Sequence, residues 1–300
     1  MPRLGTVRGV AHTRDGIDWS ARLEDMKRAD ALDEEALRVV AGRLARPLPD
    51  SPTVVDAGSG SGGMSAALAG ALGARGGGTL VLVDAVPELL DAATAAARAA
   101  AGGRVHVRPV LADLADADLA SLVPSAHLVW AARVVHHLPD QGDAVTRLVG
   151  ALAPGGWLAL EEGGLDSKHL PWDLGVGEPG LQDRLIAARR EWFARMRQDV
   201  PGSVRLPVGW NVVLAEAGLT DVTAFSYLVE HQGPPTPAVR AAALEWLGFH
   251  VGVAGDQLHT SDRAAVRRLL DPDDDAWLGA RDDVFVLQAR TVALGRRSQA

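Results

Sequence analysis

The sequence predicts an α/β fold: a doubly wound, mostly parallel sheet with helices on both faces, interrupted by an inserted helical cap. Three observations carry that prediction. From Thr53 onward, short β-branched runs alternate with Ala- and Leu-rich stretches of helical length, which is the rhythm of βαβ units. The first of these runs ends in a turn dense in glycine, Gly58-Ser59-Gly60-Ser61-Gly62-Gly63. After Glu162 the rhythm breaks into glycine- and proline-punctuated segments rich in large aromatic residues, and then it returns.

Residues 1–52 read as an N-terminal helical segment. Up to about Arg28 it is polar and without a clear period, and Trp19 is its only Phe, Tyr or Trp. Over 33–45, Leu37, Val40 and Leu44 recur at helical spacing behind Asp33 as the cap, with Glu34 and Glu35 in the first turn. Pro47, Pro49 and Pro52 then stop the helix. The core follows over 53–162, with strands expected at 53–57, 79–83, 104–108, 126–131 and 157–160. Helices are expected between them at 63–72, 87–100 and 142–152.

A cap insertion covers 163–206, with an amphipathic helix at 181–197 that places Leu185, Trp192 and Met196 on one side. The core resumes over 207–230 with a helix at 207–218, closed by Gly218, and a strand at 222–230. Residues 231–275 form a second cap insertion: Pro234, Pro235 and Pro237 open a helix through Val251, and another spans 262–270. The tail, 276–300, holds the final strand at 283–292. No internal repeat is seen.

The composition narrows the function. The net charge is −8, and no basic stripe of the kind that displaces nucleic-acid counterions is present. The pairs Arg189-Arg190, Arg267-Arg268 and Arg296-Arg297 read as solvated helix faces and a polar tail. The chain has no cysteine, which excludes disulfides, thiolate nucleophiles and Cys-based zinc sites. No signal-peptide core and no run of eighteen apolar residues occurs, so a cytoplasmic location is expected. The expected partners are therefore a small-molecule acceptor, no nucleic acid and no membrane, with a homodimer left open.

The glycine turn carries the central chemical signal. Glycine permits the unusual backbone angles of such a turn and lets a ligand approach the main chain. The N-terminus of the following helix offers free N–H groups to a carboxylate or a phosphate. Gly58, Gly60 and Gly63 satisfy the dinucleotide spacing G-x-G-x-x-G. Asp56, Gly58, Gly60 and Gly62 satisfy the methyltransferase spacing D-x-G-x-G-x-G. Asp84 ends the next strand, placed to accept from both ribose hydroxyls of an adenosine. Asp113, in Leu111-Ala112-Asp113-Leu114, could accept from the adenine amine; Asp116 and Asp118 compete with it, and helix capping is the alternative for all three.

Two further motifs are Val134-Val135-His136-His137-Leu138-Pro139-Asp140 after the fourth strand and Leu152-Ala153-Pro154-Gly155-Gly156 before the fifth. With the glycine turn and its acids, they resemble class I S-adenosylmethionine-dependent methyltransferases of the small-molecule type. The resemblance covers about 33–162 and the remainder in outline. It implies a Rossmann-like, seven-stranded sheet with a final antiparallel strand and S-adenosylmethionine across the strands' carboxyl ends. It further implies that Gly58, Ser59 and Gly60 meet the methionine moiety, with Asp56 and Gly62 shaping that loop. Asp84 and Ala85 would lie at the ribose, Asp113 and Leu114 at the adenine, and Arg133 near the sulfonium.

Methyl transfer needs positioning above all, and a base only where the acceptor must lose a proton. His136 and His137 are the candidate bases, with His137 favoured because it lies nearer the bend at Leu138-Pro139; packing of the loop is the alternative role. Glu161, Glu162, His231 and His250 are rivals. No metal is expected, since adjacent histidines do not easily face one ion and the acidic run 271–275 reads as a solvated loop. Trp172, Trp192, Phe193, Met196, Trp210, Trp246 and Phe249 read as a movable cover over a largely apolar acceptor, or as cap core. The expected activity is O-methylation of a small molecule in specialised metabolism. The alternatives are an NAD(P)-dependent oxidoreductase and a fold that keeps S-adenosylmethionine without transferring methyl, as a cyclase or a binding module.

Overall fold

A computed structural model describes residues 18–254 and 257–299. The opening of the N-terminal segment, 1–17, lies outside them. Helix α1 (Leu23–Ala45) leads into a core of β1 (Thr53–Ala57), α2 (Gly63–Ala74), β2 (Gly78–Asp84), α3 (Pro87–Ala100) and β3 (Val105–Leu111). A short α4 (Leu119–Leu122), β4 (Ala126–Ala132), α5 (Gln141–Gly150) and β5 (Leu152–Gly164) follow. The chain continues through α6 (Leu181–Asp199), α7 (Trp210–Glu216), β6 (Thr220–His231), α8 (Pro237–Ala254), α9 (Thr260–Leu270) and β7 (Val286–Arg296).

The seven strands form one sheet in the order β3-β2-β1-β4-β5-β7-β6. Strands β1 to β5 pair in parallel, and β7 runs antiparallel to both β5 and β6. The chain builds outward from β1 through β2 to β3 and then resumes on β1's other side with β4. This reversal opens a crevice at the strands' carboxyl ends, where ligands of open α/β sheets bind.

The central strands read as continuous apolar runs because both faces are covered. Val54, Leu80, Leu82, Leu128 and Trp130 face α1, α2 and α3 in one core, with Leu37, Leu68, Leu72 and Leu90. Val55, Val81, Val83 and Val129 face the other way, against Leu119, Val145, Leu148 and Leu214. A third core fills the cap, where Leu185, Trp246, Leu247, Val266 and Leu278 close around Val229 and Val286. The cap is thus mounted on the ends of β6 and β7.

Two sequence expectations are corrected, and one short helix was not foreseen. Helix α1 begins at Leu23, and Asp33 lies inside it rather than at its cap. Asp33 is 1% exposed; Arg290 Nη2 lies 2.6 Å from its carboxylate and Gln288 Nε2 donates to it at 3.0 Å. The helical period before Asp33 was hidden because charged residues stand on both sides of the helix: Asp30 and Arg22 are half-buried along the cavity, while Glu24 and Lys27 face solvent. Leu152 opens β5 rather than closing a helix, since Ala126 pairs with it. The one-turn helix α4 has too little sequence to show a period.

Candidate active site

The glycine turn is shaped by what surrounds it. Gly58 and Gly60 have φ of +79° and +54°, a region that favours glycine. A Cβ on Gly58 would fall 2.7 Å from Val134 Cγ2, so the turn lies directly against the segment that follows β4. The Gly58 and Ser59 amides both donate to Val83 O, at 2.8 and 3.0 Å. Ser59 Oγ is buried and without a partner among the described residues. Gly62 serves the helix packing instead, since a Cβ there would fall 2.5 Å from Ala93 Cα. It lets α2 close on α3 and does not line the cavity.

Asp84 sits at the end of β2, with Oδ2 accepting from Gly60 N at 2.9 Å and Oδ1 from Val86 N at 3.0 Å. A carboxylate offers about four acceptor positions, so each oxygen keeps a site for another donor. Burial raises its pKa, against the pull of those amides. Asp56 is fully enclosed beneath the turn and accepts from Ser65 Oγ at 2.5 Å. Desolvation raises its pKa to about 7; the Ser65 bond opposes this, and neighbouring Asp84 and Asp30 add to it. Asp113 accepts from Ala115 N at 2.8 Å, which fixes the loop beside Leu114.

The N-terminus of α2 does not wait for a ligand anion. Asp30 of α1 takes its first amide: Oδ2 accepts from Gly63 N at 2.9 Å and from Ser61 Oγ at 2.5 Å. Burial raises the Asp30 pKa, opposed by these two donors and by Arg133. The expectation of free N–H groups there is corrected, and Asp30 is a site residue that sequence reading missed.

After β4, Arg133 takes a φ of +54°, and a 3₁₀ turn spans Val135–His137. Two elements distant in sequence hold that turn. Glu162, whose side chain is completely buried, accepts from Val134 N at 2.8 Å and Val135 N at 2.6 Å through Oε1. Its Oε2 lies 2.5 Å from His136 Nδ1. From the cap, Arg197 donates to the carbonyls of His136, Leu138 and Pro139. His137 stands edge-on to Trp19, with ring centroids 5.2 Å apart. The carboxylate thus attends His136, against the sequence preference for His137.

The two glutamates of β5 separate. Glu161 points into the cavity wall, where it accepts from Tyr227 Oη at 2.5 Å and lies 3.9 Å from Arg133 Nε. Burial raises its pKa, opposed by Arg290, Arg133 and the tyrosine. His231 bonds to Leu32 O at 2.7 Å, and buried His250 bonds to Trp246 O while stacking on that indole at 4.0 Å. Neither lines the cavity, so both rivals serve the structure.

The glycine turn, its acids, the histidine pair and part of the cap meet at one cavity of about 890 Å³. Asp56, Gly58, Ser59, Gly60, Asp84, Ala85, Asp113, Leu114 and Arg133 line one end, with His136 and His137 beyond them. Strand β7, the cap and the turn before α1 make the other end, through Gln288, Arg290, His169, Trp246, Phe249 and Trp19, while α1 runs along both, with Asp30 at the glycine turn. Of the seven large cap residues expected to form a cover, only Trp246 and Phe249 reach the cavity. Trp172 is 70% exposed, and Trp210 donates to Glu162 O behind the wall. Among the described residues no group of His, Cys, Asp and Glu is arranged to hold a metal, and no helix is long and apolar enough to cross a membrane.

Comparison with known proteins places the same segment. Residues 55–158 match the methyltransferase domain family. The trans-aconitate 2-methyltransferase of Methylobacterium radiotolerans is 30% identical over 180 residues, which is 56% of this chain and 62% of that protein. The chain therefore spans under two thirds of that relative's length. Among solved structures, the YcgJ protein of Bacillus subtilis superposes with a TM-score of 0.48 at 15% identity, covering 89% of this chain and 99% of its own. A SAM-dependent methyltransferase from Thiobacillus denitrificans, in complex with S-adenosyl-L-homocysteine, gives 0.43 at 15% identity, covering 86% and 90%.

Proposed function

We propose that this chain, whose residues 55–158 belong to the methyltransferase domain family, moves a methyl group from S-adenosylmethionine to an oxygen of a small, largely apolar molecule of specialised metabolism. The observation that carries this reading is the single cavity joining the glycine turn and Asp84 to His136 and the cap.

The residues fit the cofactor. Carboxylates outnumber guanidinium groups among those lining the cavity, which suits a ligand carrying a sulfonium and an ammonium. The unpartnered Ser59 Oγ and the glycine cradle lie where a methionine moiety would rest. Asp84 keeps acceptor positions for ribose hydroxyls, and Asp113 with Leu114 borders the adenine position. A dinucleotide fits poorly, because Asp30 already occupies the helix end that a pyrophosphate would need.

Bound S-adenosylmethionine supplies an electrophilic methyl group. The chain supplies position and proton handling: the cap excludes water and holds the acceptor. His136 takes the acceptor's hydroxyl proton as the oxygen gains the methyl. Trp246 and Phe249 give the apolar surface against which the acceptor lies.

Isothermal calorimetry with S-adenosylhomocysteine and with NADPH tests the cofactor. Incubation with methyl-labelled S-adenosylmethionine and a metabolite extract, followed by product mass analysis, tests the transfer. Binding of S-adenosylhomocysteine with NADPH silent is expected, together with label on an oxygen of an apolar product. Tight NADPH binding would overturn the assignment, and cofactor binding without label in any product would leave a binding module or a cyclase.

A further inference from the structure

We propose that Glu162 and Arg197 are positioning residues that aim His136: Glu162 fixes the imidazole proton on Nδ1, and Arg197 ties the same turn to the cap. The inference rests on the methyl-transfer reading above, and it names two residues that neither the glycine turn nor the histidine motif points to.

Successive residues of a strand face opposite ways, so Glu161 meets the cavity wall while Glu162 runs beneath the histidine turn. One oxygen of Glu162 is taken by the Val134 and Val135 amides. The other has the Nδ1 of His136 within 2.5 Å. An ionised carboxylate only accepts, so Nδ1 must carry the proton. In the neutral ring the lone pair then lies on Nε2, on the edge turned away from Glu162. His136 lines the cavity, and its other ring contacts, with His137 at 4.1 Å and Phe193 at 5.6 Å, do not select a tautomer. The carboxylate does.

Arg197 acts on the same turn from the opposite side. Its Nη1 donates to His136 O at 2.9 Å and Leu138 O at 2.7 Å, and its Nη2 to Pro139 O and Ser203 Oγ at 3.1 Å each. Phe193 and Arg197 are four residues apart on α6 and share one face, so a single helix face both touches the imidazole and grips the carbonyls beneath it. The other end of α6 is anchored in the cap core by Leu181, Leu185 and Ile186. A cap out of place would therefore carry the ring out of aim.

Histidine-selective ¹⁵N labelling reads the tautomer directly. Two-bond ¹⁵N–¹H spectra of the protein saturated with S-adenosylhomocysteine should show His136, assigned by loss of its signal in His136→Gln, protonated at Nδ1. In Glu162→Gln the amide oxygen is needed by the Val134 and Val135 amides, so its NH₂ faces Nδ1 and the proton should move to Nε2. Arg197→Met should give a mixture of both forms, and Arg197→Lys should restore the single form. A purely structural role would lower the melting temperature and leave the tautomer alone. Protonation at Nε2 in the unaltered protein, which needs no variant, would overturn the role of Glu162, as would an unchanged tautomer in Glu162→Gln. A single Nδ1 form in Arg197→Met would overturn the role of Arg197. Failure to bind S-adenosylhomocysteine would instead strike the methyl-transfer reading, since the tautomer is measurable in the free protein.

Discussion

The two ends of the cavity differ in what makes their walls. At the end near β1 and β2, backbone and short side chains form the surface: glycines at positive φ, a serine, and carboxylates held by Gly60, Val86, Ala115 and Ser65. At the other end, α1, β7 and α8 bring long side chains together, and pairs far apart in the chain hold several of them: Arg28 with Glu245, and Gln288 and Arg290 with Asp33. The first wall is a cradle set by the βα turns, with Asp30 of α1 tied into it; the second depends on how the cap is seated. If that contrast is functional, substitutions at each end should damage one ligand and spare the other.

The largest effect is expected between the ends. His136→Gln should lower kcat by roughly 10²-fold or more, the scale of general-base catalysis, with S-adenosylhomocysteine affinity nearly constant. His137→Gln should cost much less. Stopped assays on the acceptor identified by product analysis give both numbers, and equal losses would return the pair to a shared packing role. Next comes Asp84→Ala, which should weaken S-adenosylhomocysteine binding by about 1.5–3 kcal/mol, or roughly tenfold to a hundredfold, while acceptor KM changes little. Calorimetry that finds unchanged affinity would make Asp84 a mere tie for Gly60.

How much of this could be read from the sequence follows the same division. Gly58, Gly60, Asp84 and Asp113 were legible because their roles are local, and the turn and the strand end need particular residue types at short spacing. The strands were legible because burial on both faces forces apolar runs, although β5 was longer than its apolar stretch. Glu162 was visible only as one of two rival acids, because its target lies 26 positions away. Arg197 and Asp33 were harder still, with partners 61 and 255 positions distant. Asp30 was hidden by its own helix, where it is a half-buried acid among solvent-exposed charges at Glu24, Asp25, Lys27 and Arg28. Aromatic clustering misled for the opposite reason: Trp172 is exposed, Trp210 packs against the sheet core and Phe193 meets His136, and composition does not tell a lining residue from any of these.

A smaller effect concerns stability and pH at the cradle. The Asp56 carboxyl titrates near 7 in the folded chain and near 4 when unfolded. Because the folded value is raised, the stability that the protonated group contributes is complete below about pH 4 and is lost as pH rises through 7. Asp56→Asn, which keeps an acceptor for Ser65, should raise the melting temperature by several degrees at pH 8 and by much less at pH 5. Differential scanning calorimetry decides it, and an equal shift at both pH values would deny the titration. The smallest effect is at the cap: Phe249→Leu should raise acceptor KM several-fold and leave S-adenosylhomocysteine affinity alone. Parallel losses in both would mean that the cap wall supports the cradle as well.

Asp30 has a consequence beyond shaping the glycine turn. A helix end that recognises anions is open to any phosphate in its surroundings, and a cell is full of phosphates. Here the competing anion is covalently joined to the chain and set in place by α1, so its local concentration exceeds anything a free metabolite reaches. A phosphate approaching the Gly63 amide therefore meets a carboxylate already bound there. The ligands that remain welcome are those that recognise the cradle by shape and bring positive charge with them.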